Sequence, residues 1–194
     1  MANGSADFDS IYKLLLKNRA VEEAAFLRSR LLYTQAKKQF FSEFYSHPVT
    51  IEIQNGPDAS NSSGTLGGYG NLFSFLGFES SRKPIDEISS AMEKIFSINR
   101  AGLFAKINYP DMEELKKHSP LAWAFGGSWI SGIEKGIPNF AKYLYGPGFR
   151  NSRSSSAIEA KYNINLATFT PTVYMSKMIK NFEENMKNGN VSTT

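Results

Sequence analysis

The chain has 194 residues, of which 41% are hydrophobic and 13% aromatic, with 15 Phe. That is enough apolar material for one domain burying roughly 70% of its unfolded surface, and too much for a disordered chain. There is no Cys, and His47 and His118 are the only two His. Disulfides, thiol nucleophiles, iron–sulfur clusters and Cys-based zinc sites are therefore excluded, and a His-rich metal site is not expected. Residues 1–141 carry 15 basic and 15 acidic side chains, whereas residues 142–194 carry seven and three, so the whole net charge of +4 lies in the C-terminal quarter.

Met1 to Asp7 show no basic stretch followed by an apolar run, and no window approaches the roughly 18 apolar residues of a membrane span. The expectation is a non-secreted chain without a membrane segment. Asp9 to Tyr45 lacks Pro and Gly. Asp9 or Ser10 can cap its start, and Ile11, Leu14, Leu15, Val21, Ala25, Leu31, Leu32, Ala36 and Phe40 recur near helical spacing. This predicts one long helix, or two in series, over 9–45. Phe40, Phe41, Phe44 and Tyr45 close it with an aromatic cluster suited to a core.

His47-Pro48 ends that helix, because a residue before Pro avoids the α region. Val49-Thr50-Ile51-Glu52-Ile53 alternates apolar and polar, which predicts a half-buried strand. Asn55-Gly56-Pro57-Asp58 reads as a turn, and 59–70 as a long Gly/Ser/Asn loop. Asn71 to Phe78 is expected to be a second, deeply buried strand-like element. Pro84 to Phe96 reads as a helix with Pro in its first turn, Gly102 to Asn108 as a strand, and Pro110 to His118 as a short helix with Asp111, Glu113 and Glu114 in its first turn. Trp123 to Phe149 carries both Trp and predicts dense packing. Ala157 to Leu166 alternates strictly and predicts a strand. Val173 to Met186 places Met175, Met178, Ile179, Phe182 and Met186 on one side of a final helix, with a frayed tail over 187–194.

The enzyme-like motifs are incomplete. Gly64-Thr65-Leu66-Gly67-Gly68-Tyr69-Gly70 has no Gly-Lys-Ser/Thr ending and no third dinucleotide glycine. Gly126-Gly127-Ser128-Trp129-Ile130 begins like a nucleophile elbow but lacks its last glycine. The pairs Glu22-Glu23, Asp86-Glu87, Glu113-Glu114 and Glu183-Glu184 diverge by about 100° on a helix and do not converge on a metal or a bond to be cleaved. No catalytic, cofactor-binding or metal-binding residue is assigned, and an enzyme is not expected. The loop residues Asp58, Asn61, Gly64, Gly67, Gly68 and Tyr69 form a candidate interface. Arg150, Arg153, Lys161, Lys177 and Lys180 form a candidate basic surface facing nucleic acid or an acidic partner.

The predicted fold class is α+β. A long N-terminal helix and a C-terminal helix flank a small, mostly antiparallel sheet in a single domain over 1–194, with an α+β body at 47–186. In this order of segments the chain resembles small virion proteins of tailed bacteriophages, those of the neck and tail-completion region. The phrases that carry the resemblance are His47-Pro48-Val49-Thr50-Ile51-Glu52-Ile53, Gly67-Gly68-Tyr69-Gly70-Asn71-Leu72-Phe73-Ser74-Phe75-Leu76-Gly77-Phe78, and Trp129-Ile130-Ser131-Gly132-Ile133-Glu134-Lys135-Gly136-Ile137-Pro138. The closing strand, Pro-containing turn and helix from Ile158 to Met186 fit the same layout. The resemblance implies a non-enzymatic head–tail connector or tail-completion subunit, assembled in the host cytoplasm into a homo-oligomeric ring within the virion. Its implied partners are portal, neck or tail proteins, with non-specific DNA contact from the basic quarter. The alternative is a nucleic-acid-binding module using that quarter.

Overall fold

In the computed structural model, residues 18–66, 70–102, 104–121, 126–136 and 169–188 are described, together with Ser10 and Leu14. Helix α1 (Arg19–Ser46) is followed by α2 (Pro48–Gln54), a 3-10 turn (Gly56–Asp58), α3 (Leu72–Leu76) and α4 (Pro84–Ile95). Strands β1 (Ser97–Ala101) and β2 (Phe104–Asn108) come next, then α5 (Met112–Lys117), α6 (Trp129–Lys135) and α7 (Met175–Asn188). The long N-terminal helix, two-stranded antiparallel sheet and C-terminal helix make the fold α+β, as the sequence predicts. The expected strand over 157–166, most of the helix expected before Asn18, and Trp123 lie outside the described residues.

Asn18 caps α1, its Oδ1 accepting the Ala20 N–H at 2.9 Å. The helix stops where expected: His47 before Pro48 is extended, with ψ 134°. Its buried residues, Tyr33, Ala36, Phe40 and Phe44, all lie in the C-terminal two thirds and follow helical spacing. Against them packs α7, presenting Met175, Met178 and Phe182. Glu43 Oε2 accepts from Asn181 Nδ2 at 2.8 Å, and Gln39 Oε1 from Asn185 Nδ2 at 3.2 Å, so the two helices run antiparallel. Phe182 sits among Phe96, Phe40, Tyr33 and Tyr109, with ring centroids 5.1–6.5 Å away. This edge-rich aromatic cluster lies at one end of the core. Trp129, Tyr174, Phe73, Phe78 and Leu72 belong to the same continuous core.

Two sequence expectations are corrected. Val49 to Ile53 is not a strand but part of α2. Pro48 occupies the first helical turn, where its missing N–H costs nothing, and His47 accepts the Val49 N–H at 3.3 Å as N-cap. The burial pattern follows a period near four: Val49, Thr50, Glu52 and Ile53 are buried, and Ile51 is exposed. Asn71 to Phe78 is not strand-like either. Asn71 Oδ1 accepts the Ser74 N–H at 2.9 Å and Gly77, with φ +82°, closes the C-terminus of α3. The expected burial holds, since Leu72, Phe73 and Leu76 are core residues.

The strand expected over 102–108 is β2, and its partner β1 begins two residues after α4 ends. Ala101 pairs with Phe104 and Ser97 with Asn108, joined by a tight turn in which Gly102 has φ +63°. Asp111 caps α5 through the Glu114 N–H at 2.7 Å, and His118 forms its C-cap.

Candidate functional site

The polar groups converge where α2, the Gly/Ser/Asn loop, α3, α6 and the start of α7 meet. Glu52 is fully buried there. Its Oε2 accepts the Ser63 N–H at 2.8 Å and its Oε1 accepts the Leu72 N–H at 2.7 Å. One carboxylate thus holds the loop at its middle and the first N–H of α3 at its end, where the helix dipole also favours negative charge. Asn71 Nδ2 donates to the Pro57 carbonyl at 2.7 Å, closing the loop against its own beginning. Thr65 is buried, and its carbonyl accepts the Thr170 N–H at 2.8 Å. Leu66 bridges Phe169, whose ring stacks on Phe75 at 5.4 Å. Residues 59–66 are therefore fixed by their own chain.

A second carboxylate does the same at α7. Glu134 Oε1 accepts the Tyr174 N–H at 3.2 Å and the Ser176 N–H at 2.7 Å, satisfying amides at the helix start. The Tyr174 side chain is fully buried, and its hydroxyl lies 2.6 Å from Thr50 Oγ1. Burial pushes the Tyr174 phenol well above its ordinary range. The His47 ring lies 4.8 Å from the Tyr174 ring. Burial lowers the His47 pKa, Lys177 lowers it further, and a hydrogen bond to the Val173 backbone opposes the shift. His47 is thus a neutral cap whose Nδ1 must stay unprotonated to accept from Val49.

The serine of the incomplete elbow has a complete structural account. Ser128 Oγ lies 2.6 Å from Ser119 Oγ and accepts the Ser131 N–H at 3.2 Å as N-cap of α6. Ser119 Oγ in turn donates to the Leu115 carbonyl at 2.7 Å. The Ser119 proton is committed, so the Ser128 hydroxyl donates to Ser119.

Of the candidate interface residues, Asp58 and Gly64 are exposed, the latter at φ +66°. Asn61 is half-buried and donates from Nδ2 to the Leu66 carbonyl at 2.5 Å, while its Oδ1 has no partner among the described residues. Gly67, Gly68 and Tyr69 lie outside the described residues, as do Arg150, Arg153 and Lys161 of the candidate basic surface. Lys177 and Lys180 are exposed one turn apart on α7, with Lys180 Nζ 3.7 Å from Glu184. Beside α2 a cleft of about 390 Å³ is lined by Gln54, Asn55, Phe73, Arg82, Lys83 and Asp86. Its Arg82 is bound through Nε and Nη2 to Glu87 at 2.9–3.2 Å and lies over the Phe78 ring.

Sequence reasoning missed Glu52, Thr50, Glu134 and Tyr174. A strand at 49–53 sends Thr50 and Glu52 to solvent. Only the helical alternative places them beside Val49 and Ile53. No protein-family model, curated protein or solved structure matches the chain. Among the described residues no group of three or more His, Asp or Glu is placed to hold a metal ion.

Proposed function

We propose that the chain is a non-enzymatic structural subunit of a tailed-phage particle, an adaptor or tail-completion protein that works as an oligomer in the neck or tail. The observation that carries this reading is the position of α1. The helix is 28 residues long, and no residue from Arg19 to Leu32 is buried, although Leu27 and Leu31 are large and apolar. A helix that leaves such side chains in water while its other end builds the core is shaped for attachment. The polar clusters support the same reading. Glu52, Glu134, Ser128 and His47 each accept from a helix-terminal or loop amide, so their chemistry is directed at holding elements in place. The resemblance to neck and tail-completion proteins supplies the particle, with portal, neck or tail proteins as neighbours. Mass spectrometry of purified virions tests the reading. The chain is expected at a fixed copy number per particle. Its presence in infected cells but absence from purified particles would contradict the assignment.

A further inference from the structure

The exposed side of α1 carries an ordered pattern. Ala20, Ala24, Leu27 and Leu31 follow each other at intervals of four, three and four residues. That is the a/d spacing of a coiled-coil seam. At about 100° per residue they fall within roughly 60° of arc. All four are exposed, Leu27 by 55% and Leu31 by 51%. The opposite side of the same turns is engaged by the chain itself. Val21, Glu22, Ala25, Phe26 and Ser29 are half-buried, and Glu22 pairs with Arg100 of β1 at 3.4 Å. The helix is thus held on one face by the β1–β2 hairpin and presents an apolar seam on the other.

The flanks of the seam name its occupant. With Ala24 and Leu31 at a, and Ala20 and Leu27 at d, Glu23 takes a g position and Arg28 the following e position. In two parallel helices in register, a g residue faces the next e residue of the partner. Glu23 of one copy then meets Arg28 of the other, on both sides of the seam. Both side chains are exposed, and among the described residues neither has an ion-pair partner in its own chain.

We propose that a second copy of this chain docks on α1, pairing in parallel through Ala20, Ala24, Leu27 and Leu31 and flanked by Glu23–Arg28 pairs. The proposal deepens the assembly reading and rests on it, by naming a two-fold surface through which subunits pair, with any larger ring built from other contacts. About three turns of helix form a short seam, so the pairing of isolated chains is weak and is reinforced by other contacts in an assembly.

The test is the mass of the full chain in solution, measured by light scattering up to millimolar concentration. It should rise with concentration from one chain to two or more. Leu27→Glu with Leu31→Glu should hold the mass at one chain while far-ultraviolet circular dichroism stays unchanged, because both side chains already face water. Glu23→Arg and Arg28→Glu should each weaken association several-fold, and the two together should restore it. A single-chain mass throughout, association indifferent to the Leu pair, or failure of the double charge exchange to restore it would each overturn the proposal. A chain present in virions but monomeric in solution would sink this pairing and leave the assembly reading intact. A chain that pairs but is absent from virions would do the reverse.

Discussion

Glu52 ties the loop to the start of α3. Glu52→Gln replaces one carboxylate oxygen by an NH2 group, so either the Ser63 or the Leu72 N–H faces a donor in place of an acceptor. The loss of one such buried bond costs about 1–3 kcal/mol. A lower urea midpoint with an unchanged slope is the expected outcome, and a midpoint equal to that of the parent chain would refute the role given to this carboxylate. His47 makes stability depend on pH with a definite sign. Its pKa in the folded chain is below the ordinary 6.5. Above about 6.5 the ring is neutral in both states and its cap is intact. Below that, the unfolded chain binds a proton that the folded chain resists, so stability falls until the folded pKa is passed. His47→Asn keeps an N-cap and removes the titration. The variant should lose less stability than the parent between pH 7.5 and pH 5 in urea titrations at both pH values.

At the scale of elements, the outcome turned on helix ends. The helix Pro84–Ile95 was legible from a first-turn Pro ahead of apolar residues at helical spacing, and Met112–Lys117 from the acidic residues at its start, of which Asp111 proves to be the cap rather than a first-turn residue. The hairpin strand Phe104–Asn108 was legible as the second part of the segment 102–108, whose first residue Gly102 belongs to the turn, but β1 was not, since Ser97-Ile98-Asn99-Arg100-Ala101 carries only one large apolar residue. The segments at 49–53 and 71–78 misled because β-branched and aromatic residues favour strands, while tertiary burial of Val49 with Ile53, and of Leu72 with Leu76, follows a helix. Caps are short-range signals: His47-Pro48 starts α2, and Asn71 with Gly77 brackets α3. The polar site was illegible for the same reason, because placing Glu52 indoors requires knowing that its segment is helical. Gly77→Ala tests the bracket. At φ +82° a Cβ is strained, and the substitution should destabilise by about 1–2 kcal/mol. Unchanged thermal stability would mean that α3 does not need its left-handed close.

For the whole molecule, the two ends of α1 have different tasks. From Tyr33 onward the helix builds the core with α7 and Phe96. Before Tyr33 it rests on the hairpin along one face and offers Ala20, Ala24, Leu27 and Leu31 on the other. The charge-polarised C-terminal quarter adds exposed Lys177 and Lys180 on α7. Hydrogen–deuterium exchange of the full chain, compared at low and at high protein concentration, tests this division most directly. Protection of amides within residues 19–31 should increase with concentration, while those of 33–46, already packed in the core, should not change. Exchange that is independent of concentration along the whole of α1, or new protection confined to other elements, would contradict an assembly subunit that pairs through this helix.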